Sequence, residues 1–370
     1  MTDEKNSFSL TDTITDFSDW NLTFNFKNYI HNLRLIKNKL NGKKLCLVLK
    51  SDAYGCGLEK LFKKILPLKI VDYIAITENS EARTIRKYCK KIKILRIKPA
   101  GLKEIHNGMK YNIEEILDSI EKIEIVKKNF KNIAVHLSID SEMNNLGINI
   151  EDINIDDIID LNIVGIMTHF PDTIEKNNKF NIGPINFNKL YNRLKSDFFP
   201  NIIGHVENSI NFIENKNNHY DMSRVGKITY GMFRKFNQNI HFKQVIQWET
   251  RVLNSKIIKK GENIGYNYLY KTEKTMRILV LDCGYNKGFP SVYNNNNVFI
   301  KVNDHKQKIV GSVNMNTIVV DIHNINEPIE KIILLGDGIY LEDIVNEKQI
   351  SAYSVFYNIM RNNNIIYLEE

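Results

Sequence analysis

Leu45-Cys46-Leu47-Val48-Leu49-Lys50-Ser51-Asp52-Ala53-Tyr54-Gly55-Cys56-Gly57 is the stretch whose reading decides the fold. Its first five residues form an unbroken apolar, β-leaning run, the pattern of a buried strand. Its end carries the turn formers Ser51, Asp52, Gly55 and Gly57. Between the two stands a single cation, Lys50, where the buried strand runs out. Burying a lysine is costly unless it is paired or neutral. A desolvated lysine gives up its charge readily, and a neutral amine is what Schiff-base chemistry requires. The bland alternative is a strand-end lysine snorkelling to water.

Working outward, helix-like and strand-like runs alternate. Asn21 to Phe26 alternates as a short strand does. Tyr29 to Leu40 places Ile30, Leu33, Ile36 and Leu40 at helical spacing and closes at Asn41-Gly42. Downstream, strands are predicted at 45–49, 72–77, 92–97, weakly at 110–112, then at 132–140, 163–169, 202–206 and 222–228. Helices fall between most of them, one over 114–129. Repeated βα units imply a parallel sheet, and eight of them imply a closed TIM-like (β/α)8 barrel. An open doubly wound sheet is the alternative, but the first turn lacks GxGxxG. From about residue 241 short alternating runs and turns, including the Asn294 to Asn297 run, indicate a mainly antiparallel β-domain. The expected organisation is a flexible extension over 1–18, an α/β barrel over 19–240 and the β-domain over 241–370.

The composition fits this. Of 370 residues, 43% are hydrophobic and 25% charged, ordinary for a soluble globular chain. The net charge of +8 comes from scattered lysines, with no basic run interleaved with aromatics, so nucleic acid is a poor partner. Cys46, Cys56, Cys89 and Cys283 show no metal-type spacing and suit free thiols in a reducing cytoplasm. The polar, acidic start has no signal-peptide character, and no apolar stretch is long enough for a membrane span.

In a barrel, reactive groups gather at the C-terminal ends of the strands, with phosphate sites after strands 7 and 8. Lys50 ends strand 1 and His169 ends strand 6. Ser209 follows strand 7, and Arg224 and Gly226 lie on or after strand 8. A Schiff-base lysine with a phosphate site at the same mouth suggests pyridoxal 5'-phosphate.

Lys50-Ser51-Asp52-Ala53-Tyr54-Gly55 resembles the cofactor-lysine signature of the alanine racemase family, the fold-type III pyridoxal phosphate enzymes. The resemblance runs along most of the chain: His31-Asn32, VHLSIDSEMNNLGI at 135–148, GIMTHF at 165–170, HVENS at 205–209, RVGKITYG at 224–231, IGYNYLY at 264–270, DCGYNKGFP at 282–290 and GSVNMN at 311–316. It implies a racemase in which Lys50 holds the cofactor and serves as one base, and Tyr266, contributed by the partner subunit of a homodimer, serves as the other. A tyrosine, with its ordinary pKa near 10, needs positive charge nearby for that task. The resemblance places Tyr54, Asn208, Ser209, Gly226 and Tyr353 around the phosphate, Arg224 against the pyridine nitrogen, and His169 where it tunes the second base. Asn145, Tyr285, Met315 and Asn316 fall to the substrate.

Several positions depart from the family pattern. Cys56 stands for a histidine, Asn145 for an arginine that normally faces the cofactor's phenolic oxygen, Lys287 for an acid and Asn316 for another acid. Arg96 adds a charge where many relatives have none. Each change alters the pocket's field. A substrate other than alanine, a decarboxylase, lyase or aldolase reaction on the same scaffold, and a catalytically silent cofactor-binding relative are the alternatives to racemisation.

Overall fold

The computed structural model describes residues 21–130, 132–140, 143–169, 182–206, 208–214, 220–234, 240–291, 298–345 and 350–369. The expected extension over 1–18 and the Asn294 to Asn297 run lie outside the described residues. The chain divides into two compact units, one formed by Ile30–Thr229 and the other by Met1–Tyr29 with Tyr230–Glu370.

The first strand, β1 (Leu22–Asn25), belongs to the second unit. The first unit holds the barrel strands β2 (Lys44–Val48), β3 (Tyr73–Ile76), β4 (Lys93–Arg96), β5 (Ile113–Leu117), β6 (Val135–Ser138), β7 (Ile163–Met167), β8 (Ile203–His205) and β9 (Met222–Val225). They form one eight-stranded sheet in the order β8-β7-β6-β5-β4-β3-β2-β9, and every neighbouring pair is parallel. No ladder pair joins β8 to β9 among the described residues. The join is made instead by Asp221, whose amide donates to the Gly204 carbonyl at 3.0 Å. Its carboxylate accepts from the Gly204 amide at 2.7 Å, from the Tyr191 hydroxyl at 2.7 Å and from Lys195 at 3.0 Å. The eight βα units read from the sequence are therefore present as a nearly closed barrel.

Alternation along each strand sorts side chains to two faces. Cys46, Val48, Tyr73, Ala75, Leu95, Ile116, Met167 and Met222 pack together as the barrel's inner core. Leu117, Val135, Leu137, Ile163 and Ile166 face outward, packed with Ile123, Val126, Tyr191 and Leu194 from the helices.

One barrel strand departs from the sequence expectation. Strand β5 lies at Ile113–Leu117 and the helix after it spans Ile120–Asn129, whereas the expected weak strand at 110–112 is largely a 3-10 turn, Met109–Tyr111. Glu114 and Glu115 made the segment look like the start of a solvated helix. Both are buried, at 3% exposure, because each is paired. Glu114 meets Lys93 and His136, and Glu115 meets Arg96.

Arg96 itself is fully buried on the outer side of the sheet. It binds both oxygens of Glu115 at 2.7 and 3.2 Å, Glu104 at 2.8 Å, the Thr77 carbonyl at 3.0 Å and the Asn79 side chain. The unexpected charge is thus a structural tie between three consecutive βα units.

The second unit contains β1 and β10 (Ile246–Glu249), β11 (Val252–Ile258), β12 (Asn263–Ile264), β13 (Tyr270–Lys271), β14 (Met276–Asp282), β15 (Phe299–Val302), β16 (His305–Val310), β17 (Thr317–Asp321), β18 (Ile332–Leu335) and β19 (Ile365–Leu368). Nine of these form a sheet ordered β11-β14-β17-β16-β15-β18-β10-β1-β19, and β12 pairs β13 alone. All the pairings are antiparallel except β1 with β19. The strand expected near residues 21–26 is present, but it pairs β10 and β19 rather than the barrel. The second unit takes residues up to Tyr29 and resumes at Tyr230. Phe24 explains the choice of sheet. It is fully buried among Phe26, Tyr29, Tyr230 and Tyr367, with ring centroids 5.1 to 6.4 Å away.

Candidate active site

Lys50 lies one residue beyond β2, after Leu49, and is half-buried. The chain then does something unusual for L-residues. Ser51, Asp52, Ala53 and Tyr54 all have φ between 55 and 59°, and Gly55 continues at 82°. This is one turn of left-handed helix, costing about 1–2 kcal/mol for each non-glycine residue. The backbone bonds Ala53 N–H to Leu49 at 2.9 Å, Gly55 N–H to Ser51 at 2.9 Å and Gly57 N–H to Asp52 at 3.0 Å close it.

Two carboxylates, one within the turn and one outside it, hold the turn in place. Asp52 accepts from the Leu58 amide at 2.7 Å, capping the helix Leu58–Ile65. Glu81, buried at 7% exposure, accepts from the Asp52 amide at 3.1 Å, while its other oxygen accepts from the amides of Thr77 at 2.8 Å and Glu78 at 3.0 Å. Buried Cys56 lies just beyond the turn.

Tyr54, at the end of the turn, points its hydroxyl at Gly226. A Cβ added to Gly226 would stand 2.4 Å from the Tyr54 oxygen, so this close approach requires glycine. The Gly226 amide points toward the Ser209 hydroxyl at 3.4 Å. Burial pushes the Tyr54 phenol well above its ordinary range, which keeps it a protonated donor. Two hydroxyls and a backbone amide thus converge beyond the last strands of the barrel, with half-buried Asn208 beside Ser209. Such a donor set suits a phosphate group.

Arg224, on β9, is buried at 6% exposure. Its guanidinium donates to the Thr168 carbonyl at 2.8 Å and to the His205 carbonyl and Nδ1 at 2.5 and 2.6 Å. Thr168 is in turn fixed by its hydroxyl donating to the Ile139 carbonyl at 2.8 Å. His169 follows Thr168 and is exposed, at the end of β7. Asn145 is exposed in the turn between β6 and β7, where Asn144 has φ 52° and Gly147 φ 121°.

The remaining expected residues lie on the second unit. Tyr266 begins a three-residue 3-10 helix, Tyr266–Tyr268, after Gly265 at φ 79°, and is 72% exposed. Tyr285 and Met315 are brought together by backbone bonds: the Tyr285 amide to the Asn314 carbonyl at 3.1 Å and the Asn286 amide to Met315 at 3.1 Å. The Asn316 side chain accepts from Asn286 at 2.7 Å. Lys287 ends the Tyr285–Lys287 turn. Tyr353 sits on the helix Ala352–Asn362, its ring 5.2 Å from that of Phe233.

Sequence reading missed His136, His205, Glu114 and Glu81. The two histidines stood within quoted stretches, and period-2 alternation was the signal, since His136 shares a face with Ser138 and His205 with Ile203, which packs on the barrel's inner core.

Comparison with known proteins agrees with this geometry. Residues 25–233 match the alanine racemase N-terminal domain and residues 245–367 the alanine racemase C-terminal domain. The chain is 34% identical over 320 residues to an alanine racemase of Borreliella burgdorferi, covering 82% of this chain and 85% of that one. It is 28% identical over 336 residues to a broad specificity amino-acid racemase of Vibrio parahaemolyticus, covering 85% and 80% respectively. Its fold superposes on alanine racemase from Bartonella henselae with covalently bound pyridoxal phosphate, at a TM-score of 0.82 and 19% identity, over 95% of this chain and 100% of that one. The chain belongs to the alanine racemase family.

Proposed function

We propose that the protein is a pyridoxal phosphate-dependent amino-acid racemase, an isomerase interconverting L- and D-amino acids with Lys50 and Tyr266 as its two bases. The observation that carries this reading is the convergence of the Tyr54 and Ser209 hydroxyls on Gly226 at the strand ends that also present Lys50 and Arg224. When bound, pyridoxal phosphate supplies an electron-withdrawing ring that stabilises negative charge at the substrate's α-carbon.

Lys50 would hold the cofactor through Nζ, and that atom would take or give a proton on one face of the substrate's α-carbon. Tyr266 of the partner subunit moves a proton at Oη on the opposite face. Inversion requires two bases placed in this way. Tyr54, Asn208, Ser209 and Gly226 hold the phosphate. Arg224 would face the ring nitrogen with a donor that does not surrender its proton. His169 positions the second base, and Asn145, Tyr285, Met315 and Asn316 meet the substrate. The active species under this reading is a homodimer.

The test is α-proton exchange into deuterated solvent with every L- and D-amino acid, read by mass and by chiral chromatography. Both enantiomers of the preferred substrate should exchange and interconvert, and Lys50→Ala should slow this by at least about 10³-fold. A product of changed mass beyond deuteration, or no exchange with any amino acid, would reject racemisation.

A further inference from the structure

Behind Arg224 the barrel interior contains a line of polar side chains, His205, His136, Glu114 and Lys93, that the proposed reaction does not use. It starts at Arg224, whose Nη1 lies 2.6 Å from His205 Nδ1. His205 Nε2 lies 2.8 Å from His136 Nδ1. His136 Nε2 lies 2.9 Å from a Glu114 oxygen, and the other Glu114 oxygen accepts from Lys93 at 2.7 Å. Both histidines are fully buried and Glu114 nearly so, while the Lys93 side chain is 58% exposed at the start of β4. Space is kept for the line: a Cβ on Gly165 of β7 would stand 1.9 Å from His136 Nδ1. Among the described residues, the titratable groups Cys46 and Tyr73 of the inner core also bear on this line.

The chemistry of the donors gives this line a direction. An arginine only donates, so His205 Nδ1 must accept and its proton sits on Nε2. That proton points at His136 Nδ1, which must also accept, so His136 carries its proton on Nε2 and donates it to Glu114. A carboxylate can only accept, so both ends force the same order. We infer that Glu114, through His136 and His205, is a positioning residue for Arg224, fixing which way every proton in the line points and so holding the guanidinium still at the mouth. This rests on the reading of Arg224 as the group facing the cofactor's ring nitrogen. The charge states agree. Burial, the Arg224 charge and His136 push His205 well below its ordinary range, leaving it neutral. Burial opposes ionisation of Glu114, but its bonds to His136 and Lys93 outweigh it and hold the carboxyl below the ordinary range.

The test uses side-chain ¹⁵N NMR of the histidine-labelled full-length protein, with and without pyridoxal phosphate, in wild type, Glu114→Gln and Lys93→Met. In wild type, His205 and His136 should both carry their proton on Nε2 alone. Glu114→Gln should shift both signals and slow α-proton exchange roughly tenfold, mainly in kcat, with a shifted absorption of the bound cofactor. Lys93→Met, altered at the exposed end, should shift the same signals less. A wild-type His205 protonated on Nδ1, or Glu114→Gln signals and cofactor absorption identical to wild type, would overturn the inference. The tautomers are read without cofactor, so a protein that fails to bind it would reject the functional reading and still leave the relay decided.

Discussion

Lys50 and Tyr266 stand at opposite extremes of construction. Lys50 is half-buried and precedes four consecutive left-handed L-residues. Its turn is anchored by Glu81 and by the Asp52 cap. Tyr266 begins a three-residue helix after one glycine and is 72% exposed. The barrel thus sustains several kcal/mol of backbone strain directly after Lys50, whereas the second unit leaves the Tyr266 side chain exposed. Strain is sustained where a group must be aimed by its own chain. In the proposed homodimer, display suffices because the other subunit completes the geometry.

The largest effect that would sharpen this contrast comes from Tyr266→Phe. Removing one exposed oxygen should slow exchange from one enantiomer by about 10²- to 10⁴-fold while leaving stability within about 0.5 kcal/mol of wild type. Undiminished racemisation in that variant would dissolve the contrast, since Tyr266 would then be no base. Gly226→Ala attacks the built side. Its Cβ must displace the Tyr54 hydroxyl 2.4 Å away, and affinity for pyridoxal phosphate, followed by equilibrium dialysis, should fall about 10- to 100-fold. Unchanged affinity would place the phosphate elsewhere. The smallest effect is Ser51→Gly. Glycine accepts φ 55° without the steric cost, so the turn should gain about 0.5–1 kcal/mol net and the amides of Gly55 and Gly57 should exchange more slowly with deuterated water. Faster exchange there would mean that the turn is held by contacts of the Ser51 side chain rather than against strain.

Much of this was legible in the sequence because a parallel barrel writes itself as apolar runs between helical ones. The barrel strands at 45–49 and 163–169 were plain for that reason. Strand β5 was not, because its two glutamates look solvated until Lys93, Arg96 and His136 are known to meet them. The left-handed turn was invisible for a different reason: Ser-Asp-Ala-Tyr carries no glycine where glycine would be expected. The polar line behind Arg224 was hidden because His136 and His205 are separated by 69 residues, and they meet only because β6 and β8 flank β7, whose Gly165 leaves room for the His136 ring. Tyr266 came from family resemblance alone, since an exposed tyrosine in a turn has no signature of its own.

The way the barrel closes has a consequence for solubility. With β8 and β9 at the two ends of the strand order, the wall is formally an open sheet with two edges, and sheet edges are templates on which other chains assemble. Asp221 fills that place with a side chain, its carboxylate taking the Gly204 amide at 2.7 Å. A charged residue thus caps a backbone donor that a foreign strand would otherwise capture. The aspartate works as a hem, finishing the cloth where the weave stops.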